Sequence, residues 1–509
     1  MRYLLIGSVL LLAILSAVDA KAQHQHDRSG GQSTGPVDLG EINFPTSGSP
    51  AAQKHFIEGV LLLHSFEFGR ARRAFQAASS VAPDFAMAYW GEAMTHDHRI
   101  WGEQDQKAGL AALARLAPTP AERRAKAPTL REKMYLDAVE ALYGDSDDPE
   151  VIAKAYSKAM EALTKQFPED LEARAFYSLS LLGLTGTTRN TENYMRAAAV
   201  AEEIYEKNPR HPGALHYLIH AYDDPVHAPL GLRAARVYGT VAKGASHAQH
   251  MPSHIFFALG MWEDSIKANT DSMKTARDAG QGGYHPLHWL QHAYLQVGRV
   301  SDASKLVSIV EEDIKTTPSA YARTHLAMAR ATFLVEAGPD APATMMQTVD
   351  GSGVASQVVF ANHDLAIGLE HLRRNEVRSA GQMLEAIRQK ADSMRQARTS
   401  AIAASRYSQV SQADIDTISV IEKMLAAALE FASGERDNGV RNMKSAAEAE
   451  DRLVFEYGPP AIVKPAWEAV GEMLLALGRK EEASNAFRNA LKRYPNRRLS
   501  NEGLSRAAP

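Results

Sequence analysis

No cysteine occurs in the 509 residues of the chain. That removes disulfides, thiolate metal sites and a thiol nucleophile together, along with a lipid anchor attached through a cysteine at a cleavage site. There is no basic surplus either. The 56 Lys and Arg face 60 Asp and Glu, for a net charge of −4, so nothing favours a phosphate backbone and nucleic acid is not an expected partner. After the first residues no apolar run reaches the roughly 20 residues that a bilayer span needs. Strand signals are few. There is no Gly-rich phosphate loop, no serine nucleophile elbow and no paired-cysteine zinc motif. Hydrophobic residues at 45% and charged residues at 23% still supply a sizeable core.

The first segment reads as an address. Arg2 precedes an apolar stretch from Leu4 to Leu15, and Ala20-Lys21-Ala22 is a small-x-small cleavage site. Residues 1–22 are therefore expected to be a signal peptide, giving a periplasmic or secreted protein with no membrane span after cleavage. Residues 23–50, which begin rich in Gly, Ser, Gln and His, are expected to be a disordered lead-in.

The rest of the chain is repetitive. Near the end, Trp467, Val470, Gly471 and Leu474 sit on one helix, Gly478 makes a turn, and Ala483, Phe487 and Ala490 sit on a second helix closed by Pro495. Gly59, Leu62, Ala71, Phe75, Ala78 and Pro83 repeat this order near the start. Small residues at Gly471 and Ala483 let two antiparallel helices approach while Phe487 and Leu474 fill the surrounding space. Weaker copies carry Gly260, Gly298, Gly368 and Gly434. The span Ala51 to Asn496 resembles a tetratricopeptide-repeat (TPR) array. The phrases LLHSFE, AYWGEAMT, HYLIHAYDDP, HMPSHIF and YGPPAIVKPAWE resemble an exported bacterial family of such proteins. The resemblance implies an all-α, right-handed solenoid of about ten helical pairs. Residues 51–336 would form an N-terminal array, 337–354 a Pro- and Gly-rich linker, and 355–509 a C-terminal array. Ala117 to Thr129 also reads as a linker.

Histidine is the distinctive residue. Ten of the 19 lie between His211 and His292. His216 and His220 are four apart, as are His250 and His254, and His288 and His292, which puts each pair on one helix face. His216 to His250 and His220 to His254 both span the 34-residue period of the repeat. The resemblance implies that these first-helix positions face a concave groove, with His247 and His285 near the starts of their helices. Three stacked pairs facing one cavity would chelate a transition metal. Zinc, copper or iron suit such nitrogen donors, and His247, His285, His227 and Asp223 are lesser candidate ligands. An ion with an open coordination position could also activate water or dioxygen. Asp223, Asp224, Tyr217 and Tyr222 are then the acid–base candidates. A His-Glu-x-x-His protease is disfavoured, because Tyr217, Met251 and Trp289 follow the first histidine of each pair. Pro252 lies inside the second pair, which keeps its geometry only if a helix starts near Gln249 or His250. His64, Glu67, Glu468 and Glu472 occupy outlying groove positions. The alternative reading is a metal-free scaffold whose groove takes a peptide, an envelope protein or a small molecule.

Overall fold

The computed structural model describes residues 38–508 apart from 145, 147, 185–188, 404–409 and 455–456. The expected signal peptide lies outside the described residues, as does the lead-in up to residue 37. The protein is an all-α array of antiparallel helical pairs. Among the described residues the only strands form a two-residue hairpin, Asp97–His98 with Glu103–Gln104.

Small residues set the pair spacing. A Cβ on Gly59, in helix Pro50–His64, would lie 2.6 Å from Phe75 Cε1 on helix Phe68–Val81. Gly471 stands in the same relation to Phe487, at 2.7 Å, between helices Ala466–Ala476 and Lys480–Arg493. The aromatic ring occupies the volume a methyl group would need, so this register resists alanine at either glycine. Helices Pro212–Tyr222 and Ala228–Val241, then Pro252–Leu259 and Trp262–Asp278, then Tyr284–Gln296 and Val300–Thr316 form consecutive pairs in the middle of the chain.

Three expectations need correction. The lead-in is not loose over its described part. Leu39 and Phe44 are buried, Glu41 N donates to Arg210 O at 3.0 Å, and Gly244 N donates to Asp38 O at 2.9 Å. The segment 117–129 contains helix Pro120–Lys126, closed by a Thr119/Glu122 capping box, and its Arg123 is buried against Glu140. The 337–354 segment carries two 3-10 turns with Met345 and Val354 buried, and one hydrophobic core runs across it from Phe257 to Ala507. Pro and Gly there shape tight turns that pack, so no break in packing separates two arrays at that point.

Both ends of the array fold onto its middle. His64, Glu67 and Arg70 of the first pair bond to His216, Ser246 and Gly244 respectively. At the other end Asn496 Nδ2 donates to Leu259 O at 2.9 Å, and Arg498 Nε donates to Leu295 O at 3.0 Å. The middle histidine helices are thereby covered from two sides.

Candidate metal centre

The histidines sit on three successive first helices. Helix Pro212–Tyr222 opens with His211 as its N-cap, whose Nδ1 accepts from Ala214 N. The next first helix is broken. Ser246–His250 runs into Pro252–Leu259 through Met251, whose φ of −52° and ψ of −37° are helical. Pro252 takes the first position of the second piece, where its missing N–H costs nothing. His250 and His254 therefore keep one face across the break. The condition set by Pro252 is met by a fresh helix start at the proline itself, slightly later than the expected start at Gln249 or His250.

Six histidines gather in two trios. The donor atoms of His216, His220 and His247 all lie within 4.8 Å of one another, and so do those of His250, His254 and His285. Within the first trio, His216 Nε2 and His247 Nε2 are 3.2 Å apart. Within the second, His250 Nε2 lies 3.2 Å from His254 Nε2 and 2.9 Å from His285 Nε2. All six residues are buried. The trios adjoin each other, with ring centroids 6.0 Å apart for His220 and His254 and 6.2 Å apart for His247 and His250. Each trio takes a helical pair from one layer and a single histidine from the start of the next.

The outer nitrogens define the inner ones. His216 Nδ1 lies 2.6 Å from His64 O, a carbonyl that can only accept. His250 Nδ1 lies 2.7 Å from Asn269 Oδ1, and that amide is oriented by its own donation to Ser265 O at 3.0 Å. Both imidazoles therefore carry their proton on Nδ1 and turn a lone pair on Nε2 towards the trio's centre. His254 Nδ1 lies 2.5 Å from Asp223 Oδ2. Burial lowers the His254 imidazole to about 3, and burial also raises the Asp223 carboxyl well above its usual range. The two shifts agree on a neutral pair in which Asp223 Oδ2 donates to His254 Nδ1, so the imidazole's own proton lies on Nε2, facing His250 Nε2, and would have to leave for an ion to bind there.

Aromatic rings seal both trios. Phe66 lies 4.3 Å from the His216 ring and holds φ at +54°, a left-handed conformation that bulky residues rarely adopt. Trp289 lies 4.5 Å from His254 and 4.8 Å from His250. Tyr457, from the segment before the last repeat, reaches within 5.4 Å of His254.

The other candidates lie elsewhere. His288 Nε2 is 3.1 Å from Thr332 Oγ1, and His292 lines a cavity of about 30 Å³ together with His254, Asp223, Phe257, Trp262 and Arg497, without joining either trio. The third pair thus does not join the other two at one point. His227 and Asp224 bond to each other at 2.7 Å, and Asp224 is ion-paired with Arg189. Tyr217 OH contacts His64 Nδ1 at 2.8 Å, away from both trio centres, and Tyr222 is buried on its own helix without joining either trio. Glu468 is held by Arg497 and Lys464, and Glu472 by Lys464. Both carboxylates belong to one ion cluster rather than to a metal site.

Sequence reasoning missed Glu172. It lies 2.7 Å from His64 Nε2 and 3.1 Å from His211 Nε2. The three residues are close enough to hold an ion, yet the imidazole nitrogens already have partners. His211 Nδ1 accepts from Ala214 N, which puts its proton on Nε2 facing Glu172. His64 Nδ1 is bonded to Tyr217 OH, which leaves Nε2–H for the same carboxylate. Although burial opposes it, the two imidazoles hold the Glu172 carboxyl at about 2. This is a self-satisfied network that fixes His64, whose carbonyl in turn orients His216. A long-range carboxylate of this kind leaves no local spacing signal.

No family model matches the chain, and no curated protein matches it. Among solved structures, human IFIT1 in a dimer with m7Gppp-AAAA is 13% identical, covering 88% of this chain and 91% of its own, with a TM-score of 0.30. Yeast Tom70 is 11% identical, covering 90% of this chain and 94% of its own, with a TM-score of 0.33. The TPR domain of P58(IPK) is 13% identical, covering 90% and 97%, with a TM-score of 0.24. The chain resembles these proteins in being a helical repeat.

Proposed function

We propose that the protein binds transition-metal ions in two adjacent all-imidazole sites, His216/His220/His247 and His250/His254/His285. The observation that carries this reading is the tautomer pattern. Nε2 of His216 and Nε2 of His250 each present a lone pair to a buried point where other imidazole nitrogens converge. An ion bound at 2.0–2.1 Å in tetrahedral geometry needs nitrogens about 3.3 Å apart, and separations of 3.2, 3.2 and 2.9 Å fit that spacing. Asn269, Asp223 and the His64 carbonyl supply the outer contacts that orient metal-binding histidines. Zinc, copper and iron all suit the donors, with copper the tightest among divalent ions on general grounds.

The ions when bound would supply Lewis acidity or redox chemistry, and three ligands per ion leave a position open. The chain's own part is to hold the imidazoles and exclude bulk water. A peptide-binding groove is less well supported, because the histidines that would line it are buried. The expected export from the cell belongs to the same proposal, since an exported metal protein without thiols avoids oxidation of its ligands.

The test is metal analysis of untagged protein. Near-stoichiometric transition metal at two ions per chain, falling in His254→Ala and His216→Ala together with the melting temperature, is the expected result. Protein that carries no metal, takes up none and melts identically with and without added ion would sink the proposal.

A further inference from the structure

The register that builds the two trios continues for one more layer. Gly260, Gly298 and Gly338 each follow a first helix. His247, His285 and His325 each stand 13 residues before one of these glycines. His250 and His288 stand 10 before the first two glycines, and His254 and His292 stand six before them. The second trio takes the ten and six positions of one layer and the 13 position of the next. The same rule applied one layer on selects His288, His292 and His325. All three are buried, on helices Tyr284–Gln296 and Ala320–Ala337, which pack against each other.

The third layer differs in its outer contacts. Asn269, which holds His250, stands nine residues after Gly260; the equivalent position nine after Gly298 is Val307. Asp223, which holds His254, has its equivalent one 34-residue period later at Phe257, whose ring lies 5.5 Å from His292. Neither Val307 nor Phe257 offers an acceptor to an imidazole N–H. The nitrogens consequently point elsewhere. His288 Nε2 rests on the Thr332 hydroxyl, and His292 Nδ1 is buried with no hydrogen-bond partner among the described residues.

We propose that His288, His292 and His325 form a third transition-metal site, of the same all-imidazole chemistry as the two trios but weaker. The inference rests on the metal reading of those trios. Binding requires His288 to leave Thr332 and turn towards His292 and His325. Each missing outer contact lowers metal affinity by roughly 10- to 100-fold. The third ion therefore binds only at free metal levels higher by at least one such factor.

The test is a titration of metal-stripped full-length chain with Zn(II), with bound zinc counted at increasing free zinc. Two ions at low free zinc and a third at zinc levels roughly 10- to 100-fold higher or more is the expected result. His325→Ala should remove the third ion alone. Val307→Asn, which restores the outer acceptor, should tighten the third site by roughly 10-fold, and this gain cannot come from misfolding. A count that stays at two in both the wild type and Val307→Asn overturns the third site and leaves the two trios standing. A third ion that persists in His325→Ala overturns it as well. A chain that binds no zinc removes the third site and the two-trio reading together.

Discussion

At the scale of single residues, Glu450 has an environment that makes a sharp pH prediction. It is buried, accepts from Ala466 N at 2.7 Å, and is raised by burial to about 7. A carboxyl raised in the folded state binds its proton more tightly there than in the unfolded chain. Its stabilising contribution is fully present below the ordinary carboxyl value of 4.5 and is lost as pH rises through about 7. The loss amounts to roughly 3 kcal/mol over that window. Glu450→Gln keeps an acceptor for Ala466 N and cannot ionise. Denaturant unfolding at about pH 5 and about pH 8 should show the wild type losing more stability than the variant between the two. Equal losses would show that Glu450 does not titrate in this range. His363 behaves in the opposite sense. Burial lowers it to about 4 while Nε2 stays bonded to Met345 O. Its contribution is present above the ordinary imidazole value of 6.5 and lost as pH falls towards 4. His363→Ala should therefore cost stability without changing metal content. The part-exposed His371 is the better neutral control for metal studies.

At the scale of elements, the paired helices predict where packing is least forgiving. Gly59→Ala and Gly471→Ala each drive a methyl group into a buried phenylalanine ring, and each should cost about 1–3 kcal/mol, measured as a shift in urea midpoint. Gly381, whose Cβ would meet nothing within 4 Å, should tolerate alanine. A loss at Gly381 equal to that at Gly471 would mean that something other than ring contact governs these sites.

The same elements show how far the sequence can be read. Glycine and phenylalanine spacing places the helical pairs, because close approach demands those residue types at fixed offsets. The four-residue histidine spacing places three pairs on helix faces for the same geometric reason. Spacing does not say which layer closes each site. His247 and His285 stand at helix starts, and only the packed layers show that each completes the trio of the layer before it. His325 escapes notice because Gly338 reads as part of a linker, although it follows a first helix in register. The 38–50 segment reads as loose because its polar composition hides two buried anchors, Leu39 and Phe44.

At the scale of the whole molecule, the two ends of the array fold over the histidine layers. The last repeat is tied down by Arg497, which is buried between Glu336 and Glu468. Removing one member of a buried ion cluster leaves uncompensated charge, so Arg497→Ala should cost roughly 3–5 kcal/mol. Native-state hydrogen exchange should show amides of helix Pro252–Leu259 losing protection in that variant more than those of Phe68–Val81. Uniform loss across the chain would mean that the array opens as a single unit.

Phe66 and Trp289 lie over the trios, and the first and last repeats lie beyond them, so an ion at either trio would sit behind buried side chains. Its departure would then need a local opening, and the rate of metal exchange becomes a clock for that opening. A strong chelator in excess should not hasten it, because the slow step belongs to the protein. Small concentrations of urea should hasten it, in proportion to the surface that the opening exposes.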